Sequence, residues 1–209
     1  MKNIGILVYD VSLTGGAEKV AIKLAEELKN VYNIHLISLF DEKKFASSSK
    51  YHYYNIMEKS VSIPTHIFKL SKQLRKYIKE NKIDVILAIT AGVNTIALMA
   101  VKGTNAKVVY CEHSNLENKT YGKKHEFRQY LGAKMANKII TLTERDRYNF
   151  IKAFYIDPKN IIAIPNWFEC SNTSEKYDAS SKKIITVRKT WKSKGLWFIS
   201  KSSKKSLWK

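Results

Sequence analysis

Residues 84–113 read "DVILAITAGVNTIALMAVKGTNAKVVYCEH". Two short runs, "DVILAIT" and "AKVVYCEH", are apolar at nearly every position, and a helix-forming stretch, "VNTIALMAVK", separates them. Strands apolar on both faces are covered on both sides, and a helical crossover between two such strands makes them parallel. The same alternation runs outward in both directions. Upstream lie "NIGILVY", a turn at "SLTGG", the amphipathic "AEKVAIKLAEELKN" with Val20, Leu24 and Leu28 on one face, "NIHLISLF", a Ser-rich loop, "YHYYNI" and a helix from about residue 64 to 82. Downstream lie a helix near "KHEFRQYLGAKMAN", then "KIITLT", "ERDRYNFIKAF" and "IIAIPN". The pattern predicts an α/β fold, a Rossmann-like parallel sheet of about seven strands in the order 3-2-1-4-5-6-7 with helices on both faces.

Residues 1–166 are expected to form this domain and the polar "WFECSNTSEKYDASSK", 167–182, a linker. "KIITV", 183–187, reads as the first strand of another domain. The chain of 209 residues carries 37 Lys and Arg against 18 Asp and Glu, a net charge of +19. Residues 1–187 alone hold 29 against 18, or +11. That field favours anionic partners, whether nucleic acid, a membrane surface or phosphate-bearing ligands. No helix-turn-helix, zinc or RNP-type signature accompanies the charge, so nucleic acid is not expected. Two cysteines give neither a disulfide framework nor metal-ligand spacing, and Cys111 reads as a small buried hydrophobe. No signal peptide or membrane span is legible, which predicts a cytoplasmic chain, soluble or peripheral to a membrane.

Ligands of such sheets bind beyond the carboxyl ends of the strands. That rule collects Gly15 and Gly16, Thr90 and Gly92, Glu112 and His113, Thr143 and Glu144, and Asn166. Gly15 and Gly16 precede a helix, whose first amides can face an anion; a plain tight turn is the alternative. "TGGAEKV" is neither a dinucleotide fingerprint nor a Walker loop. His113 is placed to hydrogen-bond a sugar hydroxyl or a phosphate, with Glu112 orienting it or raising its pKa; a surface histidine without a role is the alternative. His35, His52, His66 and His125 are expected to be structural or exposed. The basic runs "IFKLSKQLRKYIKENK" and "NKTYGKKHEFRQY" together supply Lys69, Lys72, Arg75, Lys76, Lys123 and Lys124 as a surface for anionic lipid; each run alone is better explained as an ordinary solvated helix face.

Together "IGILVYDVSLTGGAEKVAIKLAEEL", "KIDVILAITAGVNTIALMA", "VVYCEHSN", "ANKIITLTERDRYNFI", "IIAIPNWF" and "KKIITV" resemble the N-terminal domain of GT-B glycosyltransferases of family 4, over about residues 3–187. The resemblance implies a retaining enzyme with its active site between two Rossmann-like domains, the first mainly holding the acceptor. It implies a nucleotide-sugar donor, a lipid-linked glycan or polysaccharide acceptor of the kind used in capsule or exopolysaccharide assembly, no metal or other cofactor, and a place on the inner face of the cell membrane. Carried onto this chain, Gly15 and Gly16 lie by the donor phosphates, His113 contacts the transferred sugar, and Asn166 marks the crossing to the second domain. The competing function is a non-catalytic basic module that binds polyanions.

Residues 188–209, "RKTWKSKGLWFISKSSKKSLWK", hold eight basic and no acidic residues. After "KKIITV" the family pattern resembles "GRLxxQKGY". A-rich codons for the tail, read one nucleotide later, spell "EKLGSQKGYGLFLKAAKKVFG", so the tail is expected to be a frameshift product and the chain alone inactive. A native basic tail is the alternative.

Overall fold

A computed structural model of the chain describes residues 1–13, 15–46, 50–117 and 122–166. They lie in one compact unit, Met1–Trp167; the expected linker 167–182, the expected strand "KIITV" and the tail lie outside the described residues.

The elements follow in chain order: β1 (Asn3–Asp10), α1 (Gly16–Leu28), β2 (Asn33–Phe40), β3 (His52–Met57), α2 (Ile63–Glu80), β4 (Val85–Ile89), α3 (Ala91–Ala100), β5 (Lys107–Cys111), α4 (Lys123–Met135), β6 (Lys138–Thr141), α5 (Glu144–Phe154), a 3-10 turn (Pro158–Asn160) and β7 (Ile161–Ala163). The seven strands form one sheet in the order β3-β2-β1-β4-β5-β6-β7, as the sequence predicts, and every neighbouring pair is parallel.

Alternation along β1 sorts the core. Ile4, Ile6 and Val8 pack with Ala21 and Ala25 of α1, whereas Leu7 packs on the opposite face with Leu70, Leu74 and Ile78 of α2 and Ile96 of α3. The buried centre of α1 is thus its two alanines, with Leu24 and Leu28 flanking, because small side chains let that helix approach the sheet. On α2, Ile67 packs toward the core and its neighbour Phe68 points outward, 78% exposed. Tyr110, Ala133, Ile139 and Phe150 form a third cluster, beneath α4 and α5. Cys111 is buried as expected, and burial pushes its thiol up to about 12, which leaves it unreactive.

β1 has β2 on one side and β4 on the other, and the helices after β1 and β4 pack on opposite faces of the sheet. The carboxyl ends of β1 and β4 therefore flank the crevice that such a reversal opens. Asp10, 1% exposed, ends β1 and holds the turn beyond it by accepting from the Ser12 amide at 2.9 Å and hydroxyl at 2.6 Å.

Candidate active site

The carboxyl rim holds a cavity of about 510 Å³, a volume suited to a small-molecule ligand. Gly16 and Ala17 enter it from the start of α1, Thr90 and Gly92 from the β4–α3 junction, and Glu112, His113 and Ser114 from the end of β5. His125 of α4, Leu142 after β6 and Asn166 after β7 complete the wall. Five strand ends thus contribute to one concavity. Gly16, Thr90, Glu112, His113 and Asn166 all meet there as the strand-end rule predicts.

At α1 the N-cap is Gly15, extended at φ −74° and ψ 164°, without a side-chain cap. Nothing lies within 4 Å of where a Gly16 Cβ would stand, so the helix start is open on the side of Gly16. Gly15 itself is not in the cavity wall. The Glu18 carboxylate folds back into the space beside it, where the positive end of the helix dipole favours a carboxylate.

Thr90 caps α3 at φ +84° and ψ 157°, a conformation that suits glycine and strains a β-branched residue. Its amide donates to the Cys111 carbonyl at 2.9 Å, which ties the ends of β4 and β5 together.

Glu112 is 2% exposed and its carboxylate is shared among three side chains and a backbone amide. It accepts from the Tyr110 hydroxyl, from the Ser114 amide at 2.8 Å and hydroxyl at 2.7 Å, and from the Gln129 amide of α4 at 3.1 Å. Glu112 does raise the His113 pKa, as expected, but its carboxylate bonds to these other groups rather than to the imidazole. In extended backbone Glu112 shares a side with Tyr110 and turns away from its neighbour. Burial holds the His113 imidazole below its ordinary value, and the opposing influence of Glu112 is the smaller one. His113 is therefore a neutral hydrogen-bonding group at pH 7.

His125, expected to be structural or exposed, makes a structural bond, with Nε2 3.1 Å from the Ser114 hydroxyl, and also forms part of the cavity wall. Since that hydroxyl donates to Glu112, its oxygen accepts from His125. No local spacing signals this partnership. Glu144 departs from expectation in the other direction: it opens α5 with a side chain 74% exposed, pairs with Arg147 at 3.3 Å, and stands outside the cavity wall.

The basic set also divides. Lys69, Lys72, Lys123 and Lys124 are exposed, and Lys76 pairs with Glu80 at 3.8 Å. Arg75 is corrected: its guanidinium donates to the Ala100 carbonyl at 3.0 Å and the Met99 carbonyl at 2.6 Å, capping the end of α3. It is a strut between helices rather than a cation presented to a surface. Among the described residues no cluster of three or more His, Cys, Asp or Glu could hold a metal ion, and no helix is long and apolar enough to cross a membrane.

Comparison with known proteins agrees with the architecture. An uncharacterized glycosyltransferase of Haemophilus influenzae is 26% identical over 203 residues, covering 96% of this chain and 57% of that protein. A glycosyltransferase from Rickettsia africae superposes with a TM-score of 0.58 at 20% identity, covering 78% of this chain and 42% of that one. HepE of Anabaena, solved with UDP-glucose, superposes with a TM-score of 0.62 at 17% identity, covering 81% and 45%. The chain spans about half the length of these relatives, and its sheet is the N-terminal half of a GT-B fold. The model of Glycosyltransferase Family 4 matches residues 14–172, which include every residue named in the cavity wall, and the chain belongs to that family.

Proposed function

We propose that residues 1–166 form the acceptor-side wall of the active cleft of a retaining glycosyltransferase. The enzyme moves a sugar from a nucleotide diphosphate to a lipid-linked or polysaccharide hydroxyl, without a metal or other cofactor. The observation that supports this most directly is the meeting of the open α1 N-terminus with Thr90, His113 and Asn166 in one cavity. The first-turn amides of α1 stabilise charge on the departing diphosphate, an electrostatic effect that grows as the bond breaks. His113, neutral, hydrogen-bonds a hydroxyl of the transferred sugar. Glu112, Ser114 and His125 hold the wall in shape. The UDP-glucose bound to HepE supports a nucleotide-sugar donor.

In this reading residues 167–182 link to a second domain that begins at 183. The assembly is peripheral to an anionic membrane on its cytoplasmic side, held by the exposed Lys69, Lys72, Lys123 and Lys124. In a complete homologous enzyme, replacing the equivalent of His113 by Ala lowers turnover at least tenfold, about 1.4 kcal/mol of barrier, with the melting temperature nearly unchanged. Wild-type turnover in that variant sinks the assignment. Anionic vesicles retain the chain at low salt and release it at high salt; equal retention on neutral vesicles removes the membrane component.

A further inference from the structure

A second concavity, of about 420 Å³, lies outside the cavity of the active site, between the first turns of α2 and α4. Its walls are apolar: Ile63 and Ile67 on the α2 side, Phe127 and Leu131 on the α4 side. Lys123, Lys124 and Arg128 stand along the same α4 wall, Lys124 one turn before Arg128 and Lys123 one turn before Phe127. Phe127 is 60% exposed, an aromatic ring held in water at the edge of the groove. α4 as a whole carries four Lys and Arg against the single carboxylate of Glu126.

An apolar trough rimmed by cations matches a ligand with a hydrocarbon chain and an anionic head. The other occupants fit poorly on charge. A second copy of a chain with net charge +19 adds like charge at the rim, as does the segment 188–209 with its eight basic and no acidic residues. Nucleic acid offers phosphates to the cations but nothing to the isoleucines. We propose that this groove binds one long-chain phosphate monoester, its alkyl or prenyl chain between Ile67 and Leu131 and its phosphate against Lys123, Lys124 and Arg128. His125, in the same first turn of α4 as Lys123 and Lys124, lines the other cavity, so the two concavities share one end of this helix. That the bound lipid phosphate anchors the sugar acceptor rests on the glycosyltransferase reading; the binding itself does not.

Calorimetric titration of the full chain with hexyl, octyl and decyl phosphate, each below its aggregation concentration, tests the groove. One equivalent binds, and affinity rises about fourfold per added methylene, the factor expected for burying hydrocarbon. Octyl glucoside, with the chain but no phosphate, binds at least tenfold more weakly than octyl phosphate, and inorganic phosphate at least a hundredfold more weakly. The triple substitution K123S/K124S/R128S and, separately, Phe127→Ser and Ile67→Asp each reduce decyl phosphate binding tenfold or more. Phe127→Ser alters an exposed ring and keeps the fold, so it decides the matter if Ile67→Asp unfolds. Affinity independent of chain length identifies a phosphate site only and overturns the proposal. So does full affinity in the folded Phe127→Ser and triple variants, or displacement of decyl phosphate by duplex DNA at equal phosphate concentration. Loss of sugar transfer in a homologous enzyme with decyl phosphate binding intact counts against the enzymatic reading and leaves the groove standing.

Discussion

The His125 imidazole reaches the Ser114 hydroxyl at 3.1 Å, joining the first turn of α4 to the loop after β5. Ser114 passes the link on to Glu112 at 2.7 Å, and Glu112 holds Gln129 one turn further along α4. A buried carboxylate thereby fixes a helix against the wall of the cavity.

Removing that carboxylate is costly. Glu112→Leu leaves the Tyr110 hydroxyl, the Ser114 hydroxyl and the Gln129 amide without their acceptor, and unmet buried groups cost about 1–3 kcal/mol each. The variant is expected to lose about 3 kcal/mol or more in urea denaturation, against about 1 kcal/mol for Ser114→Ala. Equal, small losses in both would show that Glu112 does not hold the network.

Thr90 sits at φ +84°, where glycine is comfortable. Relief of strain of about 1–3 kcal/mol, less the 0.5–1 kcal/mol that glycine costs in chain entropy, leaves Thr90→Gly about 1 kcal/mol more stable. Thr90→Ala keeps the strain and gains nothing. Thermal melting separates the two, and a lower melting temperature for Thr90→Gly contradicts the strain.

Gly132 is where α4 meets the sheet. A Cβ there would stand 2.6 Å from the Asn94 side-chain amide nitrogen and 2.6 Å from two ring carbons of Tyr110, both residues fully buried. Neither neighbour has room to yield, so Gly132→Ala is expected to cost about 1–3 kcal/mol by overpacking despite its better helix propensity. Unchanged stability would mean that α4 rides higher on the sheet than described.

His35 governs acid stability. Its ring is 2% exposed and stacked on His52 with centroids 4.6 Å apart, and Nδ1 lies 2.8 Å from the Tyr77 hydroxyl. Burial, and then the charge of His52, lowers its pKa from 6.5 to about 4. The unfolded chain therefore binds more protons in that window. The stabilising contribution is complete above about pH 6.5 and fades as pH falls toward 4, by roughly 3 kcal/mol in all. Denaturation curves from pH 7 to 4 should show this slope, and His35→Gln should flatten it. An equally steep slope in the variant would assign it to other groups.

The linear sequence determined the strand order and the rim. The central strands are short runs apolar on both faces, so their ends are visible locally, and Gly16, Thr90, His113 and Asn166 reach one cavity simply by following strand ends. Partnership between elements was not legible there. Arg75 reads as a surface cation until α3 ends beside it, and Glu112 reads as a partner of His113 until Tyr110 and Gln129 close on its oxygens. His125 reads as incidental until packing of α4 on α3 brings it to Ser114, and Glu144 reads as a site residue until the first turn of α5 carries it into solvent. Periodicity and strand ends are properties of a few adjacent residues. The fate of a charged or polar side chain depends on what lies within about 3 Å, and only the packed helices supply that.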